Sequence, residues 1–169
     1  EDVFATMEPV IRALTRTIIR QFVEQARLAP TNFADVAASR LPCEMIRTLF
    51  AIEPAEWAAH VEPLFLGGAV HQQDAFAAVA GLTTYFNRII IPSSTHEGII
   101  GLLRTSNDDG DRLDHAEVIA NCVLIVTAAI DTTAGLIANT LLRLVEHSAA
   151  LAQIISDKSV IPAAIEETL

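Results

Sequence analysis

The chain has 169 residues, 51% of them hydrophobic, and carries 11 basic against 21 acidic residues for a formal charge of −10. That balance excludes nucleic acid and anionic membrane surfaces as partners, since both are held by clustered Lys and Arg. The length suits one domain, residues 1–169, but a mean hydropathy of +0.40 exceeds the needs of a soluble chain this size and predicts either a dense core or an apolar face made for something else.

Apolar spacing of three and four dominates, so the expected class is all-α. A first helix is expected from Met7 to Leu28, with Val10, Leu14, Thr17, Ile18, Gln21 and Phe22 on its packed side and Pro30 as its stop. Asn32 to Ala38 reads as a short extended piece. Leu41-Pro42 opens a helix over Cys43 to Ala51, and Pro54 opens another that runs through Leu66 to Gly67-Gly68. A helix from His71 to Ile91 is closed by Pro92, Ser93-Ser94-Thr95 precedes another through Leu103, and Ser106 to Arg112 reads as a loop. A calcium loop there is excluded: with Gly110 at the glycine position, Thr105 and Ala116 fall where carboxylates belong. Cys43 and Cys122 are too few for a disulfide framework and lack metal-ligand spacing, so they read as buried thiols of a cytoplasmic protein.

Asp114 and Glu117 form a capping box, after which nothing breaks the helix until His147. Such a helix is roughly 50 Å long, whereas a compact chain of this length is about 40 Å across. Its stretch from Val118 to Ile130 is apolar nearly all round, as in a rod at the centre of a larger body, yet too short to span a bilayer. Within it lies Ala128-Ala129-Ile130-Asp131-Thr132-Thr133. A carboxylate beside two hydroxyls is unfavourable inside a buried helix, and Thr132 can bond back to the Ala128 carbonyl. The face through Asn121, Leu124, Ala128, Thr132, Gly135 and Asn139 is small or polar, which lets a planar ligand approach the backbone.

Ala128 to Thr133, continued by Gly135-Leu136-Ile137-Ala138-Asn139 and Leu141 to His147, resembles the central-helix signature of the cytochromes P-450. Asp35 to Ile52, Asp109 to Leu113 and Ile161 to Glu167 resemble segments flanking that helix in the same family. The resemblance implies a partial P-450-like helical domain built around one very long central helix. In the family, haem is the cofactor and an acid–alcohol pair passes protons to dioxygen at the iron. Carried over, Asp131 relays protons and Thr132 hydrogen-bonds the oxygen. Ala128, Ala129 and Leu124 line the haem side, while Leu124, Thr127, Leu64, Phe65 and Leu66 touch an apolar small-molecule substrate. Glu167 stands as the first residue of the structural Glu-x-x-Arg motif.

Two departures accompany the resemblance. Ala129 replaces the usual Gly, and neither Cys43 nor Cys122 stands in the Phe-x-x-Gly loop that supplies the iron ligand. The chain thus reads as an internal segment of a soluble bacterial-type monooxygenase, inactive alone and holding no haem by thiolate. The parent takes an apolar substrate and an electron-transfer partner, and the segment self-associates. The alternative is a haem-free helical module acting by self-association or by binding an apolar ligand.

Overall fold

The computed structural model describes residues 3–65, 72–90, 98–105 and 112–169, and every regular element among them is helical. The helix end at Gly67-Gly68, the Pro92 break, the loop from Ser106 to Asp111 and the substrate contact of Leu66 lie outside the described residues.

Helix α1 spans Val3–Leu28, starting four residues before the expected Met7. Among its described side chains only Ile18 is buried, and Val10, Thr17 and Gln21 are exposed. The strip in contact is Ile11, Leu14, Thr15, Ile18 and Phe22, rotated from the expected face. Two cross-links set that rotation: Phe22 packs edge-on against Phe33 with ring centres 5.2 Å apart, and Gln21 swings outward to accept from Arg40 at 2.9 Å. The predicted extended piece is instead a π-helical turn, Ala34–Ala38. The Asn32 side chain accepts from the Ala34 amide and donates to Asp35, closing the turn locally. Ser39 bonds back to the Ala34 carbonyl through both backbone and hydroxyl. The wide turn buries Ala37 and Ala38 against neighbouring helices, which an extended segment alternating its side chains could not do.

Helix α2 is Arg40–Leu49, with Pro42 in its first turn. Beyond it Ala51 takes a positive φ of 53°, and Arg47 fixes the reversal by donating to the Ile52 carbonyl at 2.9 Å. Gly98 sits against this corner with φ 62°; an added Cβ would meet the Leu49 carbonyl oxygen at 2.8 Å, so only glycine fits. The single helix expected from Pro54 to Leu66 is two, α3 (Pro54–His60) and α4 (Glu62–Phe65). Pro63 has no N–H to donate four residues back and its ring crowds the carbonyl there, so the helix breaks at Val61. Helices α5 (Gln72–Ile90) and α6 (Gly98–Thr105) follow the expected pattern.

Helix α7, His115–Glu146, is 32 residues long, or about 48 Å at 1.5 Å per residue. The capping box is present in full: Asp114 accepts from the Glu117 amide and Glu117 accepts from the Asp114 amide, each at 2.8 Å. His115 bonds Asn87 at 3.0 Å, pinning the start of α7 to α5. Helix α8 (Ser148–Ser156), a 3-10 turn (Lys158–Val160) and α9 (Ile161–Glu166) complete the chain.

The core lies between α2, α3, α5, α6 and the first half of α7. Trp57, Val61, Phe86, Leu82, Cys122, Val126 and Ile130 have no exposed surface, and Phe50 stacks at a tilt on Phe86. The Trp57 indole N–H donates to the buried Cys43 sulfur at 3.2 Å. Helix α7 is therefore not the all-round buried rod that its apolar sequence implies. It buries one stripe, Val118, Ile119, Cys122, Val126 and Ile130, and no side chain beyond Ile130. By length and composition α7 could also cross a membrane, further than the Val118–Ile130 run suggests. A third of its most apolar window is buried against its neighbours.

Candidate functional site

On an α-helix, residues three and four apart share a face. The stripe that packs α7 onto α2 and α5 leaves Asn121, Leu124, Ala128, Thr132, Gly135 and Asn139 on the opposite side, where Asn121 and Gly135 are half-buried and the other four lie in the open. Leu124 is 61% exposed, and Ala128, Asp131, Thr132 and Asn139 are exposed as well; Ala129 and Thr127 are half-buried, Ala129 against the core. Each hydroxyl of this side is tied to its own helix. Thr132 donates to the Ala128 carbonyl at 2.5 Å, as its position predicts, and Thr127 donates to Val123 at 2.8 Å. Asn121 donates to the Glu117 carbonyl at 2.9 Å. A Cβ added at Gly135 would meet nothing within 4 Å, so the groove floor is backbone facing open space.

The surface around this polar notch is apolar: Leu142 is 54% and Val145 67% exposed, with Leu141 exposed beside them. The notch therefore lies open on a greasy flank rather than in an enclosed cavity. Leu64 and Phe65 do not join it. Both are half-buried against the core, and Leu64 lines a separate cleft of about 480 Å³ to which α7 contributes nothing. Glu167 lines a cleft of about 330 Å³ with Arg143 and His147, where α9 folds back on the end of α7.

The thiols are placed for packing. Burial pushes the Cys122 thiol up to about 12 and the Cys43 thiol up to about 11, the latter against the opposing Trp57 hydrogen bond. Cys122 lies on the packed stripe, away from the open face, and both cysteines are free. No group of three or more His, Cys, Asp or Glu among the described residues could hold a metal ion. The open face fits a flat macrocycle lying over it; neither thiol fits the part of its iron ligand.

The fold and its relatives decide what this helix belongs to. The chain is 29% identical over 171 residues to cytochrome P450 107B1 of Saccharopolyspora erythraea, covering 96% of the chain and 40% of that protein. It is 28% identical over 169 residues to the cytochrome P450 monooxygenase PikC of Streptomyces venezuelae, covering 95% of the chain and 40% of PikC. This chain is related to the bacterial cytochromes P450. It superposes on crystalline CYP109E1 of Bacillus megaterium in complex with testosterone with a TM-score of 0.74 and 25% identity, over 95% of the chain and 44% of that structure. No protein-family model matches the chain. It spans about two fifths of the length of these P450 relatives, and its fold is a partial P450 helical domain.

Sequence reasoning missed one cluster. His60 of α3, Tyr85 and Arg88 of α5, and Glu56 of α3 meet at one end of the Leu64 cleft. Only the Glu56–His60 pair, four residues apart, is legible from spacing; Arg88 comes from 28 residues further along.

Proposed function

We propose that the protein to which this segment belongs is a haem-dependent P450 monooxygenase acting on an apolar small molecule in the bacterial cytoplasm, and that the segment provides its oxygen-side wall. Haem, when bound, would supply the redox chemistry of dioxygen activation. The observation that carries the reading is the notch on α7, where Asp131 and Thr132 stand on an open strip of small residues. Ala128 and Gly135 keep that strip low enough for a planar group to lie against the helix, whereas Ala129, expected on the same side, packs against the core. Leu124 and Thr127 extend the wall towards an apolar substrate.

Thr132 is held by its bond to the Ala128 carbonyl, which fixes the hydroxyl oxygen at the groove while its lone pairs remain able to accept. Asp131, exposed one residue earlier, can take a proton from solvent and pass it on by rotating its side chain. The ligand of the CYP109E1 complex, testosterone, is apolar, in keeping with this substrate class. The exposed Leu141, Leu142 and Val145 support a second role for the segment in isolation, self-association through that flank.

Mixing the 169-residue chain with haem, reducing it and adding carbon monoxide tests the division of labour. The expected result is no thiolate-type absorption band, because both thiols are protonated and packed away. A strong band of that type from this chain alone would overturn the assignment of the iron ligand to residues outside it.

A further inference from the structure

The cleft beside Leu64 is independent of the haem reading, since it holds no residue of α7. Its volume, about 480 Å³, lies in the range of small-molecule sites. Pro63, Leu64 and Ala80 give it apolar walls. Thr84 adds a methyl group, because its hydroxyl is turned back onto the Ala80 carbonyl at 2.9 Å. Gly81 leaves the floor open: a Cβ there would make only ordinary contact, at 3.8 Å from Leu64. A glycine inside a helix is about 1 kcal/mol worse than alanine, and packing does not demand this one.

The polar end is unusual. Tyr85 lines the cleft and is 3% exposed, yet its hydroxyl has no hydrogen-bond partner among the described residues. Burial keeps that phenol protonated, so it is a donor awaiting an acceptor. The His60 ring stacks over the Tyr85 ring at 5.3 Å. Arg88 Nη2 lies 2.8 Å from His60 Nε2, and because a guanidinium only donates, that nitrogen is the acceptor. Glu56, 3.4 Å from the same Arg88 nitrogen, balances its charge. The Arg88 and Glu56 charges offset one another, and the Tyr85 hydroxyl remains a donor to spare.

We infer that this cleft binds a small, uncharged, mostly apolar molecule bearing one carbonyl acceptor, taken up by the Tyr85 hydroxyl as the His60 ring moves aside. Glu56 offsets the charge that Arg88 would offer an anion, and a hydrocarbon would leave the phenol unsatisfied. The chain contains one tyrosine, so ¹³C-labelled tyrosine gives a single NMR probe at the site. Acetophenone, ethylbenzene and benzoate serve as ketone, hydrocarbon and anion of similar shape.

Acetophenone is expected to shift the Tyr85 resonance saturably and to bind about tenfold tighter than ethylbenzene, the worth of one neutral hydrogen bond. In Tyr85→Phe, followed by the ligand's own signals, that preference disappears while ethylbenzene binding stays. In Gly81→Leu, which fills the floor, both ligands are lost. Equal affinities for ketone and hydrocarbon, tighter binding of benzoate, an unchanged preference in Tyr85→Phe, or no saturable shift would each overturn the assignment.

Discussion

The two halves of helix α7 share one backbone and both carry several large apolar side chains, yet they live in different surroundings. From Val118 to Ile130 a continuous stripe packs on Trp57, Phe86, Phe50 and their neighbours. From Asp131 to Glu146 no side chain is buried, and leucines and a valine stand in the open. A helix interior is stabilised chiefly by the face it buries rather than by propensity. The first half is therefore anchored, and the second is carried by continuity with it and by α8 and α9, neither of which buries a side chain. Apolar content alone does not make a core; neighbours do.

Substitutions should separate the halves sharply. Trp57→Ala or Ile130→Ala, each emptying a fully buried position, is expected to cost about 2–5 kcal/mol in denaturant unfolding. The same truncation at Leu142 should stay within about 0.5 kcal/mol. If the two sets cost the same, the distinction between packed and open halves fails.

Alkaline pH probes the packed half. The folded thiols of Cys43 and Cys122 are raised to about 11 and about 12, above the ordinary 9.0, by burial. Below pH 9 both states hold these protons and stability is unaffected. Above it the unfolded thiols ionise while the folded ones do not, so stability should fall as pH rises from 9 through about 12. Replacing both cysteines by alanine should remove the fall between pH 9 and 10 and lessen it above, measured by urea midpoints at each pH. Above pH 10 the buried Tyr85 phenol, raised from 10.0 to about 12, also contributes.

Asp114→Ala removes the capping box and should cost about 1 kcal/mol. In the open half the sign reverses. Gly135→Ala places a methyl group in empty space on a helix, and a gain of about 0.5–1 kcal/mol is expected in thermal unfolding. Thr132→Ala should be neutral or slightly stabilising, since its bond to Ala128 competes with nothing buried. Residues whose removal stabilises the chain are poor for folding, which is the expected mark of positions kept for chemistry.

Much of this was readable in advance where a local rule acts alone. The Asp114–Glu117 box, the stop before Pro30 and the unbroken run to Glu146 depend only on residues within a turn of one another. The break at Val61 was within reach of the same logic, because Pro63 cannot continue a helix begun at Pro54. The π-helical turn was less accessible: Asn32 favours several turn geometries, and the choice is made by burying Ala37 and Ala38 against elements distant in sequence. The open face of α7 shows the limit of pattern reading. An all-round apolar helix signals that partners cover it, not that those partners belong to the same stretch of chain. The Asp131–Thr132 notch came from word order and kinship; the His60–Tyr85–Arg88 cluster had no local pattern to betray it.

Amide hydrogen exchange along α7 tests the half-packed helix most directly. Amides from Val118 to Ile130 are expected to exchange only through global unfolding, while those from Asn139 to Glu146 exchange through local opening at least tenfold faster. Uniform protection from end to end in the dilute monomer would contradict the account.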